Sequence, residues 1–417
     1  MTNFVIISGA TVAAVVVLSK MGAVGFFQGL LIILLGMFIG HYINRTVPSY
    51  PHQEIYKMFK ENPLHNGKDA EGLVVIVTGS TSGIGQKISE ELFRYGATVI
   101  LASRNAAKGQ GVIDEIFAAN PGSKGKLVFG KLDTSDLDSV REFAEWVKKN
   151  YARVDYLVNN AGIQYGSLQP NPMLNLSVPI DSKQGYDLCF ATNYLGHFLL
   201  THQLLPLVRG KVVNIASSFH FQADGTTLNP ALGADGKTPD AAFATDKPFK
   251  HRAQSYGVTK LANVFHIIEL QKRLAGYGHP HIKAVSVCPG WVQTSIFGEK
   301  DPIGYFIHSN SFKIQEGVTS AMRAIFDKDL QGGEFVTNQI LPLSDYSWFD
   351  DMLRELSKRG IRDQVLLIKS MVLLAFQSQS YGLHIHRPSP ECQDAKLTAA
   401  FYDWTIEELR SKGYITD

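Results

Sequence analysis

"LVVIVTGSTSGIG", residues 73–85, holds in one short stretch a strand, a turn and the start of a helix. Val74 to Val77 form a continuous apolar, β-branched run, the pattern of a strand buried on both faces. Glycines at 79, 83 and 85 follow it, and a helical pattern runs from Ile84 to Tyr95. Glycine at such places permits a tight turn, a close approach of backbone to pyrophosphate, and close packing of helix on strand. The helix N-terminus adds unpaired N–H groups and a dipole that favours phosphate. The stretch therefore predicts a βαβ unit that cradles a dinucleotide.

Working outward, the same rhythm repeats. "ATVILAS" (97–103), "KLVFGKLD" (126–133), "VDYLVNN" (154–160), "KVVNIAS" (211–217) and "IKAVSVCPG" (282–290) read as buried strands. Helical patterns over Asp136 to Asn150, Tyr186 to Leu207 and Ser255 to Leu274 lie between them. Strands separated by helices require right-handed crossovers and a parallel sheet covered on both faces. The expected class is α/β, a doubly wound parallel sheet.

The rest of the chain bounds the function. Its 417 residues and 45% hydrophobic content suffice for a large core. Lys and Arg number 40 against 38 Asp and Glu, a net charge of +2 with no long basic run, so no nucleic-acid footprint is expected. Cys189, Cys288 and Cys392 are far apart, which argues against a disulfide scaffold or a zinc site and for a reducing compartment.

Phe4 to Gly40 carries one charge, Lys20. "MGAVGFFQGLLIILLGMFIG" (21–40) is long enough to span a bilayer core of about 30 Å. A cleaved signal peptide competes, but the apolar region is too long and lacks a basic leader. Arg45, Lys57, Lys60 and Lys68 follow and favour a cytosolic body. A hairpin around Lys20 leaves the body cytosolic too, and opens anchoring at the endoplasmic reticulum or a lipid droplet. A sequon at Asn175 offers a test, since glycan there would put the body in the lumen. The expected division is an anchor (1–45), a linker (46–71), a dinucleotide domain (72–340) and a C-terminal extension (341–417) that faces membrane or substrate. Two regions break the rhythm: a Gly-, Pro- and Asp-rich insert at 219–252, either a surface loop or a lid, and "VLLIKSMVLLAF" within 341–395, too short to span a membrane.

At the end of the second strand, an NAD site usually places a carboxylate on the ribose 2′-hydroxyl; here Ser103 and Arg104 stand instead, a pair suited to the 2′-phosphate of NADP. Tyr256 and Lys260 lie one helical turn apart in "SYGVTKLAN", on one face. Such an ammonium favours phenolate.

The glycine motif, "NNAG" (159–162), the series Ser217, Tyr256 and Lys260, and "PGWVQT" (289–294) together resemble the short-chain dehydrogenase/reductase superfamily. "ATNYLGHFLLTHQLLPLV" and "VVNIASSFH" look like its branch of membrane-associated retinol dehydrogenases and related lipid oxidoreductases. The resemblance covers residues 73 to about 338, recurs in "YDWTIEELRSKG", and implies a Rossmann-type sheet of about seven strands.

Carried onto this sequence, the resemblance implies that Tyr256 exchanges a proton with the substrate oxygen while hydride moves to or from nicotinamide. A free phenol titrates near 10, so reactivity near neutrality asks for a shift of about three units, roughly 4 kcal/mol. Lys260 is implied to supply part of it and to hold the nicotinamide ribose. Ser217 is implied to bind the substrate oxygen, chosen over Ser218 because it lies three residues after Asn214, and Asn193 to hold a water in the proton relay and kink its helix. Further cofactor contacts are implied at Gly79, Gly83, Ile84, Gly85, Arg104, Asp133 (adenine), Asn160 (adenosine ribose), Val292 and Thr294 (carboxamide). The gap between Ser217 and Tyr256 is wider than in compact members. "SIFGEKDPIGYFIHSNSF", after Thr294, carries few charges, which suits an apolar alcohol or carbonyl. The expectation is a membrane-anchored, NADP(H)-dependent oxidoreductase, with NADP(H) preferred to NAD(H), acting on a retinoid, steroid, polyprenoid or long-chain lipid, with homodimerisation left open. The alternative is a catalytically idle dinucleotide-binding scaffold at a membrane or lipid droplet. An epimerase of the extended branch is disfavoured by the "TGxxxGxG" spacing.

Overall fold

The structure is a computed structural model that describes residues 70–164, 181–223, 225–229, 252–297, 312–337 and 384–416. The apolar N-terminal segment, Asn175, most of the 219–252 insert, residues 298–311 and "VLLIKSMVLLAF" lie outside the described residues. Among those described, no helix is long and apolar enough to cross a membrane.

Strands β1 (Val74–Thr78), β2 (Thr98–Ser103), β3 (Lys126–Lys131), β4 (Val154–Asn159), β5 (Val208–Ile215), β6 (Lys283–Cys288) and β7 (Phe335–Thr337) run parallel in the order β3-β2-β1-β4-β5-β6-β7. An eighth strand, β8 (His384–His386), joins β7 antiparallel, which extends the expected all-parallel sheet by one strand from the C-terminal segment. Pairing of β1 with both β2 and β4 puts the reversal of strand order there, and the crevice outside the carboxyl ends at such a point is where ligands bind.

Helices α1 (Gly83–Arg94), α2 (Ala106–Ala119) and α6 (Ile314–Phe326) bury their apolar stripes on one face of the sheet. On the other lie α3 (Leu137–Asn150), α4, α5 (Arg252–Arg273) and α7 (Ala395–Ser411). Helix α4 has three pieces, Leu188–Phe190, a π-helical turn Ala191–Leu195, and Gly196–Leu204. Because β1, β4 and β5 sit between two apolar layers, most of their residues are buried, which is why they read as unbroken apolar runs. Helix α7 packs against α5, so Phe401, Tyr402 and Leu409 join the same core as the central helices.

A candidate dinucleotide and carbonyl site

The two strand ends at the switch point are tied by side chains that bond to peptide groups. The Thr78 hydroxyl, at the end of β1, accepts the N–H groups of Asn160 and Ala161 at 2.9 Å each, and Asn160 Nδ2 donates to Thr78 O at 2.8 Å. The turn beyond is so tight that a Cβ on Gly79 would lie 2.7 Å from Ala161 Cα, and Gly79 holds φ +64°, a left-handed value that favours glycine. A Cβ on Gly85 would lie 2.4 Å from Asn160 Nδ2. Across the opening, Gly83 comes so near Thr294 that a Cβ there would sit 3.1 Å from its Cγ2.

Between these walls is a cleft of about 550 Å³, a size suited to a small-molecule ligand. Gly79, Gly83, Ile84, Asn160, Val292 and Thr294 line it, with Arg104 at one end and Ser217, Tyr256 and Lys260 at the other. Gly85 sits behind the turn, against Asn160 and Gly79. Asp133 is placed differently from expectation. Leu132 and Thr134 on either side line the cleft, whereas Asp133 lines a separate hollow with Asp136 and Asp138, its Oδ1 accepting the Ser135 N–H at 2.9 Å and hydroxyl at 2.6 Å. The sharp turn into α3 ties that carboxylate to its own backbone.

Sequence reading missed Lys108. It lines the cleft beside Arg104, from the first turn of α2, where its N–H caps onto Asn105 Oδ1 at 2.9 Å. The signal was available: an Asn helix cap directly after Arg104, with a lysine three residues on. Ser103 is buried at the same end, and its hydroxyl has no partner among the described residues.

At the other end, the α5 residues project as the helical spacing requires. Tyr256 is half-buried and Lys260 Nζ lies 5.4 Å from the centre of its ring. Lys260 is buried and donates to Ile215 O at 2.7 Å; burial lowers it to about 8. Burial raises the Tyr256 phenol above its ordinary value, the buried Cys288 thiol adds to that, and a hydrogen bond with Ser217 opposes it. The expected acidification of the phenol by Lys260 is thus absent from these groups alone. Desolvation outweighs the one favourable hydrogen bond.

Ser217 follows β5 in extended conformation (φ −164°), and its Oγ accepts the Phe219 N–H at 3.2 Å. Ser218 is turned away, its N–H donating to Cys288 Sγ at 3.1 Å in the core. Of the two serines, Ser217 lines the cleft and Ser218 does not. Phe219 packs edge-on to Tyr256, with ring centres 5.7 Å apart, and lies 5.3 Å from Trp291, so aromatic rings flank the phenol.

Asn193 is wholly buried behind the cleft wall, in the π-helical turn. Its Oδ1 accepts the Ile163 N–H at 2.8 Å, and its Nδ2 donates to Ile163 O at 2.9 Å and to Thr259 Oγ1 at 3.0 Å, between Tyr256 and Lys260 in sequence. The Asn193 carbonyl lies 3.1 Å from His197 Nδ1, and a carbonyl only accepts, so Nδ1 carries the proton. His197 Nε2 then accepts from the Thr78 hydroxyl at 2.8 Å. Burial lowers this ring to about 4, so it is neutral at pH 7. Asn193 is thereby joined through His197 to the glycine turn, a link the sequence did not announce.

Comparison with known proteins agrees with this architecture. The family described as short chain dehydrogenase matches residues 73–226. Retinol dehydrogenase 12 of Mus musculus is 34% identical over 255 residues, 60% of this chain and 70% of that protein. Retinol dehydrogenase 11 of Homo sapiens is 30% identical over 285 residues, 67% and 80%. Among solved structures, an uncharacterized protein from Mycobacterium Paratuberculosis superposes with a TM-score of 0.54 at 24% identity, covering 82% of this chain and 94% of that one, a likeness of fold.

Proposed function

Because the chain belongs to the short-chain dehydrogenase/reductase family, and is retinol dehydrogenase-like within it, we propose that it interconverts an alcohol and a carbonyl on a lipophilic substrate, using NADP(H). The observation that carries the proposal is the convergence on one cleft of Ser217, Tyr256 and Lys260 at one end and Arg104 with Lys108 at the other.

The residues present fit a dinucleotide. At Gly79 and Gly85 a Cβ would collide with neighbouring atoms, so the turn is as thin as a chain can make it. Helix α1 has no side-chain cap at Ser82, unlike α2 at Asn105 and α3 at Asp136, which leaves its N-terminal N–H groups for phosphate. The unpartnered Ser103 hydroxyl, with Arg104 and Lys108, supports a 2′-phosphate and hence NADP(H) over NAD(H). Lys260, Val292 and Thr294 would hold the nicotinamide end. When bound, that ring supplies or accepts the hydride.

In the reductive direction, the Tyr256 phenol donates its proton to the carbonyl oxygen as the carbon is reduced. Ser217 steadies that oxygen: with Phe219 N–H on its lone pair, its own proton is left to donate to the phenol or to the developing alkoxide. Asn193 fixes Ile163 and Thr259 around the pair. In oxidation each transfer runs in reverse, from alcohol proton to Tyr256. Trp291 lines the cleft with Phe219 packed against it and Tyr256, an apolar surround that supports a lipophilic substrate. A retinoid is one member of that class, as the names of the relatives suggest.

The apolar N-terminal segment supports membrane anchoring with the catalytic domain facing the cytosol, at the endoplasmic reticulum or a lipid droplet. The full chain with NADPH should reduce members of a panel of retinal, long-chain aldehydes and ketosteroids, and Ser217→Ala should abolish this. A protein that binds NADPH yet reduces none would be the idle scaffold instead. Full release of the chain from membranes by alkaline carbonate would overturn the anchoring, and glycan on Asn175 would overturn its orientation.

A further inference from the structure

The carbonyl of Ser217 accepts two hydrogen bonds from His220, one from its backbone N–H at 3.1 Å and one from ring Nδ1 at 2.7 Å. With Nδ1 protonated, Nε2 is left as an acceptor, and it takes the N–H of Ser389 at 3.1 Å. One ring therefore joins Ser217, just past β5, to a segment 169 positions beyond the ring itself. The ring is inaccessible to solvent, packed against Phe221 and Phe335 with centres 4.1 and 4.7 Å away. Burial lowers it to about 4, so both bonds persist at neutral pH.

The Ser389 side is equally fixed. Ser389 O accepts the Cys392 N–H at 2.9 Å, and Asp394 caps α7 by accepting from Lys396 N and Leu397 N at 3.0 Å each. Helix α7 is in turn clasped to α5 by the Thr398 hydroxyl donating to Glu269 at 2.7 Å. The turn that carries Phe219 is thus held from two sides, by α5 beneath it and by the C-terminal segment through His220.

We propose that His220 is a positioning residue: it couples the C-terminal segment to Ser217 and sets the orientation of the 217 peptide, and through it the aim of the Ser217 hydroxyl at the substrate oxygen. The proposal rests on the reading of Ser217 as the oxygen-binding serine. Without the ring, the Ser217 carbonyl keeps one tie and the peptide can tilt, whereas the cofactor cradle, built from β1, α1 and β4, is untouched.

The test uses the full chain and whichever carbonyl of the panel it reduces with NADPH. His220→Ala should lower kcat roughly tenfold or more, since small misplacements of a catalytic group cost rate steeply, with NADPH affinity unchanged. His220→Asn, which keeps a donor near the Ser217 carbonyl, should recover most of that loss. Ser389→Pro is compatible with the residue's φ of −55° and deletes only the N–H, apart from the hydroxyl; Ser389→Ala keeps that N–H and separates the two. Ser389→Pro should lower kcat where Ser389→Ala does not, and should speed amide exchange over residues 217–223. The double variant His220→Ala/Ser389→Pro should be no worse than His220→Ala alone, as expected of one connected unit. Variants that lose thermal stability but keep kcat, or losses that multiply in the double variant, would overturn the proposal. Ser217→Ala run alongside tells the two failures apart. If it is as active as the parent, the reading of Ser217 falls; if it is inactive while His220→Ala keeps its kcat, only the coupling falls.

Discussion

The wall of the cleft formed by β1, α1 and β4 is held by hydrogen bonds onto the peptide groups of the strand ends, whereas the wall that follows β5 is held by rings packed from distant parts of the chain. In the first, Thr78 gathers two N–H groups of the β4 end, and the glycines leave room for nothing larger. In the second, Phe219 leans on Trp291 and Tyr256, and His220 reaches Ser389. The lesson is a division of labour: a thin glycine turn and hydrogen-bonded strand ends shape the place proposed for the cofactor, and ring packing shapes the place where a substrate oxygen would meet Tyr256.

Substitutions should separate the two walls. The largest effect is expected for Tyr256→Phe, which keeps the ring and its contacts but removes the proton, lowering kcat by about a thousandfold. NADPH binding, followed by nicotinamide fluorescence, should be unchanged; a matching loss of binding would mean that the walls do not act separately. Next, Gly79→Ala forces a Cβ against Ala161 in a left-handed backbone, and should weaken NADPH binding by roughly a hundredfold, equivalent to about 3 kcal/mol. Retained binding would show that the turn has freedom the contacts deny.

Arg104→Ala should weaken NADPH binding by roughly tenfold or more, the loss of a hydrogen bond to a charged group, and leave NADH alone. Equal losses for both cofactors would remove Arg104 from the 2′-phosphate. A subtler effect is in the pH profile. Lys260, lowered to about 8, is charged below that pH and loses its proton above it. Activity that needs the ammonium should therefore hold near neutrality and decline as pH rises through about 8, and a kcat profile flat to pH 10 would exclude a role for that charge.

A change of another kind concerns stability. His197 and His220 are lowered to about 4 and His266 to about 3, against 6.5 for an exposed imidazole. Between those values the unfolded chain binds protons that the folded one refuses, so these rings make stability fall as pH drops from 6.5 towards 4, and their contribution is level above 7. Thermal melts across that range check the sign.

Much of the first wall could be read in advance. β1, β2, β4 and β6 match their apolar runs closely because burial on both faces leaves no alternation to misread. The glycine turn was legible because backbone geometry, not side-chain context, demands it. What escaped was set at a distance. β8 is His-Ile-His, a strand only because β7 is beside it. His220 sat in a stretch read as an insert, and its meaning depends on Ser389. The placing of Asp133 beside the cleft lining was not legible, because its local turn draws one carboxylate oxygen back onto Ser135. The phenol went astray because desolvation, a property of the assembled core, outweighed its neighbours.

The short β8 also governs how the sheet can grow. By occupying the outer side of β7, it replaces an open ladder with a three-residue rung whose Ile385 is exposed and which runs into Arg387 and Pro388. An incoming strand finds few N–H and C=O groups to pair with there, and a proline close at hand to stop the register from lengthening. Among the described residues, that side of the sheet therefore ends in a short rung, the kind of edge that offers little for another strand to extend.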